Sequence, residues 1–77
     1  MQRTPTRAQV ESIRAKYPAG TKVRMVEMLD DPNPIPSGTV GTVTCVDDIG
    51  SVHMKWENSR TLAFIPGVDT VEIIKET

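Results

Sequence analysis

The chain is predicted to fold as a small, mainly β domain: a five-stranded barrel preceded by a short N-terminal α-helix. Three observations carry this prediction. Residues 38–57, GTVGTVTCVDDIGSVHMKWE, read as two strands joined by a tight turn. Further short segments rich in Val, Ile, Thr and Met recur between clusters of Pro, Gly, Asp and Asn from Lys22 to Ile74. Between those segments there is no room for helices, which favours a barrel or two packed sheets.

The helix is predicted over residues 6–16. Thr6 can cap it, and Gln9 three positions on completes a capping box. Val10, Ile13 and Tyr17 fall at i, i+3 and i+7 and form one narrow apolar stripe. Arg7, Glu11, Arg14 and Lys16 occupy the other faces. Pro18 disfavours helical geometry at Tyr17, and Gly20 follows, so the helix ends there. So short a helix is marginal alone and must dock through its stripe. These residues are read as a basic helical extension, 1–18, on a barrel domain, 20–77.

The first strand is expected from Lys22 to Met28. Residues 29–37, LDDPNPIPS, hold too much proline for a ladder and are read as a loop. Thr39–Val46 is the second strand. Asp47-Asp48-Ile49-Gly50 is turn chemistry, because Asp can bond its own backbone and Gly accepts a left-handed conformation. Ser51–Trp56 returns as the third strand. Glu57–Arg60 turns again, Thr61–Ile65 is the fourth, Pro66-Gly67 breaks it, and Thr70–Ile74 is the fifth. Gly41, inside a strong strand, is expected to serve a bend at a barrel corner, with close approach of a ligand as the alternative.

At 77 residues the chain has one small core and cannot build a deep substrate cavity. Its apolar fraction of 38% is too high for a disordered chain. Cys45 is the only cysteine, which excludes an intrachain disulfide and a multi-cysteine metal site. With no disulfide staple, no signal-peptide-like N-terminus and no membrane-length apolar run, a cytoplasmic location is expected. Charge is unevenly spread. Residues 1–24 carry six cations against one acid, a net +5, and residues 25–77 carry three against nine, a net −6, which together give the chain's −1.

The stretch Gly20–Ile74 resembles an uncharacterised family of small proteins from bacteria and their phages or mobile elements, domain of unknown function 4314. The residues that carry the resemblance are Gly38-Thr39-x-Gly41-Thr42-Val43, Val46-Asp47-Asp48-Ile49-Gly50, Trp56-Glu57-Asn58, Leu62 and Ile65-Pro66-Gly67-x-Asp69. Where that family carries Asp-Asn-Gly after the tryptophan, this chain has Glu57-Asn58-Ser59. The same order of glycines, tryptophan and asparagine is similar to SH3-like barrels of the Mind bomb type, which bind segments of other proteins. That likeness implies an SH3-like barrel and transfers no binding residues.

Candidate chemistry is sparse. Asp47, Asp48 and His53 are the nearest approach to a metal site, but further ligands at suitable spacing are missing. Cys45 and His53 form the sole possible Cys–His pair, without an evident acidic orienter. Asp30 and Asp31 precede Pro32-Asn33-Pro34 and can keep that loop solvated or meet a basic partner. No catalytic, metal or cofactor residue is therefore assigned, and the chain is expected not to be an enzyme. Trp56 is suited either to fill the core or, if exposed, to form an aromatic and acidic surface with Asp47, Asp48 and Glu57 for a Lys- or Arg-rich peptide. The expected function is a non-enzymatic, protein-binding module, monomeric or weakly dimeric, whose partner is an unidentified protein or basic peptide. The alternative is an accessory nucleic-acid-binding protein acting through Arg3, Arg7, Arg14, Lys16, Lys22 and Arg24.

Overall fold

The computed structural model describes residues 5–29 and 31–75; Arg3 and Asp30 lie outside them. One helix, α1 (Arg7–Lys16), precedes four strands: β1 (Lys22–Glu27), β2 (Val40–Val46), β3 (Val52–Trp56) and β4 (Thr70–Ile73). They form one antiparallel sheet in the order β3-β2-β1-β4. The chain is mainly β, as expected.

Helix α1 begins with the predicted capping box. The Gln9 N–H donates to Thr6 Oγ1 at 3.1 Å, and the Thr6 N–H donates to Gln9 Oε1 at 2.8 Å. It ends where Pro18 requires: the Tyr17 N–H closes the last turn on Ile13 O at 2.9 Å, and Tyr17 itself leaves helical geometry. The stripe docks. Val10 and Tyr17 are buried, Ile13 packs on the core, and the Tyr17 ring meets Phe64 edge-on at 5.3 Å.

The expected five-stranded barrel is a four-stranded, unclosed sheet. Thr61–Ile65 does not form a strand; it touches β3 at one bridge, where Val52 and Phe64 exchange N–H···O bonds of 2.9 and 3.0 Å. The reason lies in Trp56. Its indole N–H takes the Leu62 carbonyl at 2.8 Å, an acceptor that a second ladder rung would have needed. Pro66, just downstream, has no N–H to offer. On its other side the segment is tied by Asp69, only 8% exposed. One carboxylate oxygen accepts from the Leu29 N–H and the other from the Ile65 N–H, each at 2.9 Å. A buried carboxylate is tolerated because both oxygens are satisfied.

No register slip marks Gly41, where a bend is expected. The register slips fall elsewhere, between Val43 and Cys45 on β2 and between Met25 and Glu27 on β1. Gly41 instead makes room: a Cβ there would lie 2.5 Å from Cε3 and 2.9 Å from Cδ2 of Trp56. The core consists chiefly of Trp56, Phe64, Met25, Ile35, Met54 and three valines. Ile35 comes from the proline-rich loop, which closes over the sheet with its N–H on Met28 Sδ at 3.4 Å.

Candidate functional site

Three segments that are remote in sequence enclose a surface cleft of about 550 Å³. Pro5, Gln9, Ser12 and Ile13 form the helix wall, Ile49 and Gly50 the turn wall, and Ile65–Val68 the opposite wall. None of these residues is charged, in a chain that is 25% charged. Ile49, Ile65 and Val68 are 63%, 50% and 36% exposed, so half of the chain's large exposed hydrophobics among the described residues converge here.

Local chemistry positions each wall. In the β2–β3 turn, Asp47 Oδ1 accepts from the Ile49 and Ser51 N–H groups at 3.1 and 2.9 Å, and Gly50 takes a φ of +84°. This closes the turn and leaves Ile49 facing outward. Asp69 holds the opposite loop, and the Val68 and Asp69 N–H groups both donate to Ile65 O, at 3.0 and 2.9 Å. Gly67, at φ +93°, supplies the left-handed residue in that loop. The helix wall is fixed by packing and by Arg14, whose guanidinium reaches Asp48 Oδ1 at 3.0 Å and Val46 O at 3.4 Å. Gly50 lies directly beneath Ile13, since a Cβ there would be 3.1 Å from Ile13 Cδ1.

The aromatic and acidic surface expected from Asp47, Asp48, Trp56 and Glu57 is not assembled. Trp56 is 2% exposed, because strand alternation aims it inward with Val52 and Met54. Asp47 and Asp48 sit at one end of β3 and Glu57 at the other, roughly 17 Å of strand apart. Asp31 is occupied locally, accepting from the Asn33 N–H at 2.8 Å.

Asp47 does meet His53: Oδ2 lies 2.9 Å from Nε2. Burial pushes the Asp47 carboxyl up, but the bond from His53, the backbone N–H groups of Ser51 and Ile49 and the charge of His53 together hold it below its ordinary 3.8. Cys45 lies opposite His53 on β2. Asp47 is thus the acidic neighbour of the imidazole that sequence reading lacked. Among the described residues no group of three or more His, Cys, Asp or Glu is placed to hold a metal ion.

The predicted basic set divides. Arg7, Arg14 and Lys16 lie on α1, and Lys22 and Arg24 on β1. Arg14 is bound to Asp48, Arg24 is paired with Glu72 on β4, and the Lys16 ammonium stands 5.4 Å from the Tyr17 ring centre. These residues do not make one helical face.

Fold and cleft together define a small, mainly β domain with a docked N-terminal helix as one wall of an uncharged surface cleft. The chain belongs to the family described as domain of unknown function (DUF4314), whose model matches residues 6–74 and so takes in helix α1. No curated protein and no solved structure matches it. Among the described residues no helix is long and apolar enough to cross a membrane.

Proposed function

We propose that this chain is a non-enzymatic, protein-binding module that takes an apolar anchor of its partner into the cleft between α1, the Asp47–Gly50 turn and the Ile65–Val68 loop. One observation carries the reading: exposed Ile49, Ile65 and Val68 converge in a cleft without a charged wall. Exposed apolar surface of this kind marks interaction sites, and the volume lies in the range of ligand-sized clefts. Two carboxylates, Asp47 and Asp48, border the Ile49 side against one guanidinium, Arg14. A partner segment with an apolar residue followed by Lys or Arg suits that edge.

An SH3-like arrangement, in which the Thr61–Ile65 segment lies where a fifth strand would run on the open sheet, belongs to this proposal as well. The Thr61–Ile65 segment supports it, being bridged to β3 at Phe64 and tied through Asp69 to Leu29, just beyond β1. A monomeric or weakly dimeric state and a cytoplasmic setting in a bacterium, phage or mobile element complete the reading.

The test is selection of a displayed random-peptide library on the full chain, followed by titration of the enriched peptides. Burial of one large aliphatic side chain is worth about 1.5–3 kcal/mol. Ile49→Asp and Val68→Asp should each weaken binding by about tenfold or more, while Thr44→Ala, outside the cleft, should not. Enriched peptides that bind both cleft variants normally would overturn the assignment, as would failure to enrich any peptide.

A further inference from the structure

Sheet register brings together cations that the sequence keeps far apart. Lys22 on β1 lies opposite Thr42 on β2, and Thr42 lies opposite Lys55 on β3. Residues directly opposite one another in antiparallel strands share a face. Here that face is the outer one, since the adjacent Val23, Val43 and Met54 are buried in the core, while Lys22 and Lys55 are exposed. The result is an ammonium–hydroxyl–ammonium row across three strands, with its lysine Cα atoms about 10 Å apart at ordinary strand spacing.

Charge changes sharply beside this row. On one side Arg24 faces Glu72, with which it is paired, and Glu57 stands next to Val40 through its N–H···O bond of 2.9 Å. On the other side lie Thr44, Cys45 and His53. A polyanion running along the β-strands would meet Glu57 or Glu72. One running across them, along the row, meets Lys55, Thr42 and Lys22.

We propose that the Lys22–Thr42–Lys55 row contacts the phosphates of a single nucleic-acid strand laid across the sheet. Lysine and threonine are ordinary phosphate donors. Each of the two ammonium groups can take one phosphate of the strand, with the Thr42 hydroxyl between them. A duplex fits less well, because its second strand would approach the flanking glutamates. The described aromatic residues, Tyr17, Trp56 and Phe64, are buried, so bases find no stacking platform on this face and recognition is independent of sequence. This contact is separate from the cleft and does not rest on it.

The experiment is fluorescence anisotropy of a labelled oligothymidylate with the full chain, at low and near-physiological salt. Two lysine contacts on a single strand predict a slope of log K against log salt of about −1.4. Lys22→Glu with Lys55→Glu should abolish binding, Lys22→Gln with Lys55→Gln should weaken it, and Glu57→Gln should strengthen it. Arg7→Glu, on the helix, should leave it unchanged. Circular dichroism confirms that each variant is folded. Absence of binding at low salt would overturn the proposal, and so would binding that survives loss of both lysines. Competition by an oligoglutamate peptide at equal or lower concentration would also overturn it, assigning the row to an acidic protein segment.

Discussion

Replacing Gly41 by alanine tests the tightest contact in the core. The added Cβ would stand 2.5 Å from Trp56 Cε3, 2.9 Å from Cδ2 and 3.0 Å from Met54 Cε. Carbon atoms rest at about 3.5–4.0 Å, so the overlap is on the order of 1 Å. The indole cannot simply step aside: it is fully buried and its N–H is bound to Leu62 O at 2.8 Å. Overpacking of this kind costs about 1–3 kcal/mol, and loosening the indole hydrogen bond about 1 kcal/mol more. Alanine returns about 0.4–1 kcal/mol by restricting the unfolded chain. The expected net loss is therefore about 1–3.6 kcal/mol. For a domain of this size, 1 kcal/mol corresponds to about 6 °C in Tm, so Gly41→Ala should melt about 6–22 °C lower. Thermal unfolding by circular dichroism measures this directly. In a Trp56→Phe background, which removes the obstructing ring edge, the penalty should shrink; such coupling is what a double-mutant cycle reports. A Tm within about 3 °C of the parent, or an equal penalty in both backgrounds, would refute this account of Gly41.

Two other perturbations follow from the backbone and the turn. Ser59 adopts φ +71°, the left-handed conformation that suits glycine, so the turn keeps its geometry with a strained serine. Ser59→Gly should relieve about 1–2 kcal/mol of that strain and lose about 0.5–1 kcal/mol to chain entropy. The Tm should therefore rise by a few degrees, and a fall in Tm would contradict the reading. Asp47 is held below its ordinary 3.8 in the folded state, so its contribution to stability is complete above that value and disappears as pH falls through the lowered one. Asp47→Asn should therefore flatten the decline of Tm as the pH falls below 3.8. An unchanged acid limb would show that the His53 and backbone bonds to Asp47 do not favour its ionised form.

Helix α1 was legible because its determinants are local: Thr6 and Gln9 cap it, Pro18 stops it, and Val10, Ile13 and Tyr17 recur at helical spacing. The four observed strands and the Asp47–Gly50 turn were legible for the same reason, since β-branched alternation and Asp–Gly turn chemistry act over a few residues. Thr61–Ile65 has the composition of a strand, yet its Leu62 carbonyl goes to the Trp56 indole, a choice that local composition does not encode. Trp56 sits between Lys55 and Glu57 in sequence, and its phase with Val52 and Met54 turns it inward. The cleft left one trace in the sequence, the apolar Ile49, Ile65 and Val68 within turn segments, but not the fact that these turns meet.

The sequence by itself determined the class of fold, most element boundaries, the capped helix and the uneven distribution of charge. Tertiary structure decided that the sheet stays open, that Gly41 accommodates an indole, that Asp69 joins two distant backbone segments, and that Lys55 shares a row with Lys22. The division has one physical cause. Caps, turns and periodicity depend on interactions within a turn or two of chain, whereas the cleft and the basic row depend on which distant strands pair and in what register. That register is set by the joint burial of side chains from the whole molecule.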